Sequence, residues 1–451
     1  MSERFVIIGG DAAGMSAASK ARRSDPNLEI IVLEKGEWVS YGACGLPYYV
    51  KGEVEQIEDL VAITPEEFVE KRNIDLRLNH EVTEIRPERK SIIVAEGGEE
   101  QEMRFDKLLI AVGASPIVPD IPGSDMEEVF TLHGLDDGKE IRSFVEEKPP
   151  DRAAIVGGGY IGIEMAEALH DRGLEVDVIE GLSRLLTPFN PDVSDVVQSH
   201  LSERVDVHLN DFVEGISRVG SEELRISFGG QEILSDMVVM AAGVQPNVQL
   251  AEEAGVKLGP TGAISTDEYG RTNFPDVFAA GDCAEATNTL TGGPDYVPLA
   301  LTANRDGRAI GSTVGGDPVL LAEIAGTAVL KAFDLEVART GLAVEDRARR
   351  EGFDPISVTI KAPSRAGYYP GPKRIDVSLV ADETSGLLLG GSMVGKEGVS
   401  KRIDTLAAAL SASMTVSELE NLDLSYAPPF GPTWDPLLTA AKVLAGRLNR
   451  L

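Results

Sequence analysis

The chain is nearly devoid of cysteine. Cys44 and Cys283 are its only two thiols in 451 residues. They lie far apart in sequence, which excludes a disulfide scaffold and points to a reducing, cytoplasmic setting. Basic charge is also scarce: 42 Lys and Arg stand against 74 Asp and Glu, a formal net charge of −32. So acidic a chain is a poor partner for nucleic acid or an anionic membrane. Its charge reads as a solvated surface suited to a salt-rich cytoplasm, where ions screen self-repulsion. No apolar run is long enough for a membrane span, and Met1 to Glu3 lead straight into a strand, so neither a membrane helix nor a signal peptide is expected. No low-complexity tract or long Gly/Ser linker breaks the chain, and no metal site is expected. Glycine, by contrast, is abundant at 47 residues. That suits an α/β protein with many tight turns, large enough for two or three domains.

The first such turn follows a short apolar strand, Arg4 to Gly9. Gly9, Gly10, Ala13 and Gly14 come next, then a helical pattern from Met15 to Arg23, then a strand from Leu28 to Leu33 ending at Glu34. Strand, glycine turn, helix, strand and acid form the layout of a dinucleotide site. Small residues admit the pyrophosphate, the helix N-terminus faces the anion, and the acid accepts a ribose hydroxyl. Asp11 departs from the pattern, standing where the second glycine of G-x-G-x-x-G is usual. The layout then recurs without departure. A strand from Ala153 to Val156 leads to Gly157, Gly159 and Gly162, a helix from Ile161 to Leu169, and a strand from Val176 to Ile179 ending at Glu180. Glu180 would bind a 2′-hydroxyl and repel a 2′-phosphate, favouring NADH over NADPH, with Arg184 close enough to soften the preference.

Val82 to Ala95 and Lys107 to Val112 read as strands, the second ending at Gly113 and Ala114. Met237 to Ala242 ends alike at Gly243, which suggests two similar domains, one inserted in the other. The run from Thr272 to Ala280 ends at Gly281-Asp282, where a carboxylate can meet a polyol, or where a strand simply exits. Helices are expected from Val297 to Gly311, from Thr64 to Arg72, from Ser400 to Leu410 and from Leu437 to Leu448. Strands are expected at Ala328 to Phe333, Ile356 to Lys361 and Arg374 to Val380.

Cys44 lies in Ser40-Tyr41-Gly42-Ala43-Cys44-Gly45-Leu46-Pro47-Tyr48-Tyr49, just beyond the first nucleotide unit. With these motifs the whole chain resembles the flavoprotein disulfide reductases that carry two dinucleotide folds. It is most similar to their single-cysteine branch, and within it to the coenzyme A disulfide reductases. Val39 and Tyr49 stand where a C-x-x-x-x-C pair would need a second cysteine, and Pro47 excludes C-x-x-C. Ala12 occupies the position of the histidine in NADH peroxidases and oxidases. The cysteine loop, Tyr368-Tyr369-Pro370 and Tyr426-Ala427-Pro428-Pro429 resemble the coenzyme A enzymes.

The resemblance implies two Rossmann-like domains, the NAD domain inserted in the FAD domain, plus an α+β dimerisation domain. The expected divisions are FAD-binding 1–114 and 246–322, NAD(P)H-binding 115–245 and dimerisation 323–451. It assigns FAD to Gly9, Gly10, Ala13, Gly14, Glu34, Lys35, Ala114, Gly281, Asp282 and Ala300. NAD(P)H falls to Gly157, Gly159, Tyr160, Ile161, Gly162, Glu180 and Gly243, with Tyr160 lying over the flavin until nicotinamide displaces it. Coenzyme A, as substrate or as a Cys44 adduct, falls to Ser16, Lys20, Arg23, Ser40, Arg72 and Asn304. Ser16, Lys20 and Arg23 share one helix face by their i, i+4, i+7 spacing. Tyr368 and Tyr426 would reach the cysteine site of the other subunit in a homodimer.

The implied reaction takes hydride from NADH to FAD and opens a Cys44–S–S–CoA mixed disulfide. Cys44 thiolate then attacks the next coenzyme A disulfide or a related small disulfide, while Tyr368 or Tyr426 protonates the leaving sulfur. Such a thiolate needs a lowered pKa, from the flavin, a helix start near Gly45 or a tyrosine hydroxyl. Two other readings remain open at this level. One is an NADH oxidase or polysulfide reductase on the same frame; the other is a thiol-independent flavoprotein that passes electrons to a protein partner.

Overall fold

The computed structural model describes residues 3–220 and 223–448. Two five-stranded parallel sheets dominate the first two thirds of the chain. One runs in the order Val277–Ala279, Lys107–Ile110, Arg4–Ile8, Glu29–Leu33, Asp75–Arg77. The other runs Asp206–Leu209, Glu175–Glu180, Arg152–Val156, Met237–Met240, Val129–Thr131. Their central strands are apolar on both faces, as a sheet covered on both sides requires; Phe5, Val6 and Ile7 are fully buried, as are Ala154 and Ile155. Each sheet is accompanied by a three-stranded antiparallel sheet. The chain passes between the two parallel units through Ala114–Pro116 and Val244–Pro246, which pair as an antiparallel ribbon.

The helix Ala12–Ser24 crosses the helix Ala300–Val314 closely. A Cβ on Gly307 would stand 2.1 Å from the Ala13 carbonyl oxygen, and one on Gly311 2.3 Å from that of Ala17. Small residues in this seam bring chain positions near 16 and 304 together. The last third forms an antiparallel sheet ordered Ala328–Ala332, Leu335–Gly341, Leu388–Gly395, Arg374–Asp382, Pro355–Pro363, covered by the helices Ser400–Ser411 and Pro436–Leu448.

Several expectations shift. The helix read from Val297 begins at Ala300, because Pro298 disfavours helix at Val297 and Leu299 is extended. The stretch 82–95 splits into Glu81–Arg86 and Ser91–Glu96, turning through Pro87–Arg89 with Lys90 at φ +50°. A third strand, Glu99–Arg104, completes that sheet; its sequence EEQEMR is polar and mostly exposed, so no apolar alternation announces it. The helix expected from Thr64 is widened at Glu67–Lys71, where the Arg72 N–H reaches back to the Glu67 carbonyl at 3.2 Å. Among the described residues, no helix is long and apolar enough to cross a membrane.

Candidate active site

The two glycine turns are built alike, bond for bond. Gly9 N–H donates to Leu33 O at 2.9 Å and Gly157 N–H to Ile179 O at 2.8 Å. Gly9 and Gly157 have φ +104° and +116°, a region where a side chain would be strained. Glu34 accepts the N–H groups of Gly10 and Gly36, both at 2.8 Å; Glu180 accepts those of Gly158 at 2.7 Å and Leu182 at 2.8 Å. Both carboxylates are thereby fixed in place, and each oxygen keeps a lone pair for a ribose hydroxyl. Gly14 and Gly162 lie behind the turns. A Cβ there would come within 2.0 Å of Gly9 O and 1.9 Å of Gly157 O, so their role is helix–strand packing. At Gly159 an added Cβ would meet nothing within 4 Å.

That difference explains how Asp11 is tolerated. It occupies the position equivalent to Gly159, at φ −108°, as N-cap of Ala12–Ser24. Its side chain makes no capping bond and instead accepts the Tyr41 backbone N–H at 3.0 Å. Burial pushes the Asp11 pKa up to about 6 against the pull of its backbone hydrogen bonds.

Both turns open into one cavity of about 2730 Å³, several times the size of a typical single-ligand pocket. Every expected cofactor residue lines it except the packing glycines Gly14 and Gly162. Its walls fit the groups the fold implies. Asp282 faces it as a partly buried carboxyl whose pKa is pushed up to about 6 by desolvation, then by Asp11; hydroxyl donors of a polyol would relieve that desolvation. Arg184 is not part of the lining.

Cys44 is exposed on the same cavity wall, in the 3-10 turn Ala43–Gly45. The helix that follows, Leu46–Lys51, is only six residues long. The surroundings do not lower the thiol pKa. Desolvation, then the carboxylates of Glu164 and Asp282, raise it, against a weaker backbone hydrogen bond. Glu164, partly buried in the wall, has a pKa of about 7; desolvation outweighs its hydrogen bond from the Tyr48 hydroxyl at 3.4 Å. Sequence reasoning passed over Glu164, which lies one helical turn after Tyr160. Cys283 is fully buried, its Sγ directed at the carbonyls of Ala280 and Ile110, and burial pushes its pKa up to about 11.

Ser16, Arg23, Ser40, Arg72 and Asn304 line the cavity with Cys44, whereas Lys20 does not. Ser16 Oγ donates to Asn304 Oδ1 at 2.6 Å. Arg72 is already committed, to Ser19 Oγ at 2.9 Å and Glu67 Oε1 at 3.0 Å. Two basic groups escaped the sequence reading. Arg305 and Arg308 line the cavity beside Leu301 and Asn304. The signal was available: positions 301, 304, 305 and 308 follow helical spacing along one exposed face. Tyr368 and Tyr426 lie outside the cavity, exposed, with their hydroxyls 2.7 Å apart. The hydrogen bond shared with Tyr368 holds Tyr426 below the usual phenol value. No cluster of three or more His, Cys, Asp or Glu that could hold a metal occurs among the described residues.

The pyridine nucleotide-disulphide oxidoreductase model matches residues 3–307, and the dimerisation-domain model of the same name matches residues 327–436. The NAD(P)H coenzyme A polysulfide/persulfide reductase of Pyrococcus horikoshii is 41% identical, over 98% of this chain and 99% of that protein. The coenzyme A disulfide reductase of Staphylococcus aureus is 31% identical, over 95% of this chain and 96% of that one. The crystal structure of reduced Bacillus anthracis CoADR-RHD superposes with a TM-score of 0.96 at 36% identity, covering all of this chain and 81% of the other.

Proposed function

The chain belongs to the pyridine nucleotide-disulphide oxidoreductase family, and from that membership we propose that it reduces coenzyme A disulfide to two molecules of coenzyme A. NADH is the electron donor, with NADPH as the alternative, and FAD the resident cofactor. One observation carries the reading: a single exposed thiol, Cys44, opens onto a cavity that two dinucleotide cradles share. The other thiol, Cys283, is sealed in the core. The second sulfur of the redox pair must therefore come from the substrate.

FAD, when bound, supplies two-electron transfer between the pyridine nucleotide and the thiol side of the cavity. Gly9, Gly10, Ala13, Glu34, Lys35, Ala114, Gly281, Asp282 and Ala300 would hold it, with Gly14 packing the turn. Gly157, Gly159, Ile161, Glu180 and Gly243 would hold NAD(P)H, with Gly162 in the packing role and Tyr160 covering the nicotinamide position until the nucleotide displaces it. The fixed negative charge of Glu180 disfavours a 2′-phosphate. Cys44 as thiolate attacks one sulfur of the disulfide. A Cys44–S–S–CoA bond forms, the substrate S–S bond breaks, and one coenzyme A thiolate leaves. Arg23, Arg305 and Arg308 offer cations to its phosphates, and Ser16, Ser40 and Asn304 offer polar contacts.

The family's dimerisation domain supports a homodimer, and the exposed aromatic group of Tyr368, Tyr426, Phe430 and Trp434 offers it apolar surface. Across that dimer Tyr368 and Tyr426 would donate a proton to the leaving sulfur. Two free thiols support a reducing, cytoplasmic setting.

A second reading has its own support. The relative at 41% identity acts, by its name, on polysulfide or persulfide with coenzyme A. NADH consumption with coenzyme A disulfide, polysulfide and oxygen as separate acceptors distinguishes the two. Turnover on the disulfide, lost in Cys44→Ser, is the expected result. Faster turnover on polysulfide selects the second reading, and rapid turnover on oxygen alone rejects both. Mass spectrometry of the isolated protein should find coenzyme A on Cys44.

A further inference from the structure

The hydroxyl of Tyr160 is held from far outside the nucleotide turns. Arg339 Nε donates to it at 2.8 Å. Arg339 belongs to the strand Leu335–Gly341 of the C-terminal sheet, paired with Ala328 on one side and Ser392 on the other. The Tyr160 ring leans on Phe189, with centroids 5.7 Å apart. The side chain that begins the helix Tyr160–Asp171 on the cavity wall is thus held both at its ring and at its tip.

The same hairpin grips the same helix again. Lys331 Nζ and the backbone N–H of Phe333 both donate to the buried carboxylate of Glu167, at 2.5 and 2.6 Å. Glu167 and Tyr160 are at i and i+7, on one face of the helix. This second grip fixes the hairpin against the helix whatever the Tyr160 side chain does. The Arg339 strand therefore stays behind if the phenol swings away, and only the arginine side chain could follow it.

We infer that Arg339 is a positioning residue, a latch that keeps Tyr160 closed over the nicotinamide position and sets how readily the nucleotide enters. The inference rests on the proposed role of Tyr160 as the side chain that yields to nicotinamide. Opening breaks a charge-assisted hydrogen bond that the fixed strand cannot restore. The closed state is favoured by that bond, and apparent nucleotide affinity falls with the open fraction. Removing the latch tightens nucleotide binding. An arginine that contacted the nucleotide itself would have the opposite effect on removal.

The test uses the FAD-loaded enzyme, with two readouts that need no turnover: the Kd for NAD⁺ and the fluorescence of the oxidised flavin, which a covering phenol quenches. Arg339→Met and Tyr160→Phe remove the same bond from opposite ends. Each should tighten NAD⁺ binding by roughly three- to tenfold, the range of one net hydrogen bond; Arg339→Met, which keeps the phenol, should also brighten the flavin. In NAD⁺ affinity the double variant should go no further than either single one, and Arg339→Lys should return toward wild type. Tyr160→Phe leaves the sheet untouched, so it carries the test if Arg339→Met does not fold. Weaker NAD⁺ binding in Arg339→Met overturns the latch, as do additive effects in the double variant. So does no change in Arg339→Met or Tyr160→Phe while Tyr160→Ala alters both readouts. If Tyr160→Ala alters neither, the proposed role of Tyr160 itself fails.

Discussion

Asp11 extends its carboxylate from the first glycine turn to the backbone N–H of Tyr41, 3.0 Å away. A second bond, from Ser40 N–H to Gly10 O at 3.0 Å, runs beside it. The nucleotide turn and the cysteine loop are therefore one joined unit. Ser40 takes φ +49°, an uncommon value for a non-glycine residue, to make the junction.

This junction has a pH signature. Asp11 has a folded pKa of about 6 against an ordinary 3.8, because burial disfavours its anion. Between those values the native chain binds more protons at this site than the unfolded chain does. The contribution of Asp11 to stability is therefore largest below about pH 4 and declines as pH rises toward 6. Asp11→Asn removes the titration and keeps an acceptor for Tyr41. Urea unfolding of both proteins from pH 4 to 7.5 should show the wild type losing on the order of 2 kcal/mol relative to the variant across that window. A constant difference would mean that Asp11 ionises as an ordinary carboxyl.

The reactivity of Cys44 should respond to Glu164. Burial raises the thiol pKa first, and the Glu164 carboxylate adds to the rise. Glu164→Gln removes a negative charge that opposes the thiolate. The pH profile of Cys44 alkylation by iodoacetamide should move to lower pH, with faster labelling at neutral pH. An unchanged profile would place the control of the thiol elsewhere.

How much of this was legible depends on whether the determinant was local. Gly157 to Gly162 and Glu180 could be read because strand, turn and acid recur at fixed spacing. The Cys44 loop was legible as a contiguous motif. The strand Leu388–Gly395 was not, because Gly390 and Gly391 interrupt its apolar pattern; their missing side chains make room for Thr340 and Ser378 backbone oxygens. Glu164 and Arg339 were invisible as site residues for another reason. What brings them to Tyr48 and Tyr160 is tertiary packing, and no spacing in the sequence encodes it.

The two kinds of glycine in the second turn should separate by experiment. Gly162→Ala drives a Cβ to within 1.9 Å of the Gly157 carbonyl oxygen, so backbone must move. It should destabilise the protein by about 2–3 kcal/mol, in the range of overpacked sites. Gly159→Ala meets no protein atom within 4 Å, and its φ of −83° suits any residue. Its stability should stay within about 1 kcal/mol of wild type, the scale of a Gly-to-Ala change at an N-cap. Its affinity for NAD⁺ should nevertheless fall, because the new methyl points into the cavity. Thermal melting without nucleotide and NAD⁺ titration read the two effects apart; equal melting losses would contradict the division.

Glu167 joins three parts of the chain at one buried carboxylate. Lys51, at the end of the helix that follows Cys44, approaches it at 2.8 Å; Lys331 and the Phe333 N–H reach it from the C-terminal hairpin. Its side chain is only 4% exposed, against 13% for Lys51 and 44% for Lys331. Glu167→Ala leaves the Lys51 ammonium half-enclosed with only Glu53 and Asp171, both more exposed, to balance it. The loss should be about 3 kcal/mol, the lower end for breaking a buried pair. Lys331→Ala should cost under about 1 kcal/mol, since that partner is half in solvent. Salt separates the two further. Mobile ions screen exposed pairs but barely reach buried ones, so the Glu167→Ala deficit should persist at high salt while that of Lys331→Ala fades. Denaturant unfolding at low and high salt measures both. If the Glu167→Ala deficit vanished with salt, the carboxylate would be acting as a surface charge. Hydrogen exchange over Leu46–Lys51 should quicken in the same variant, because this carboxylate anchors the far end of the helix that carries the Cys44 loop.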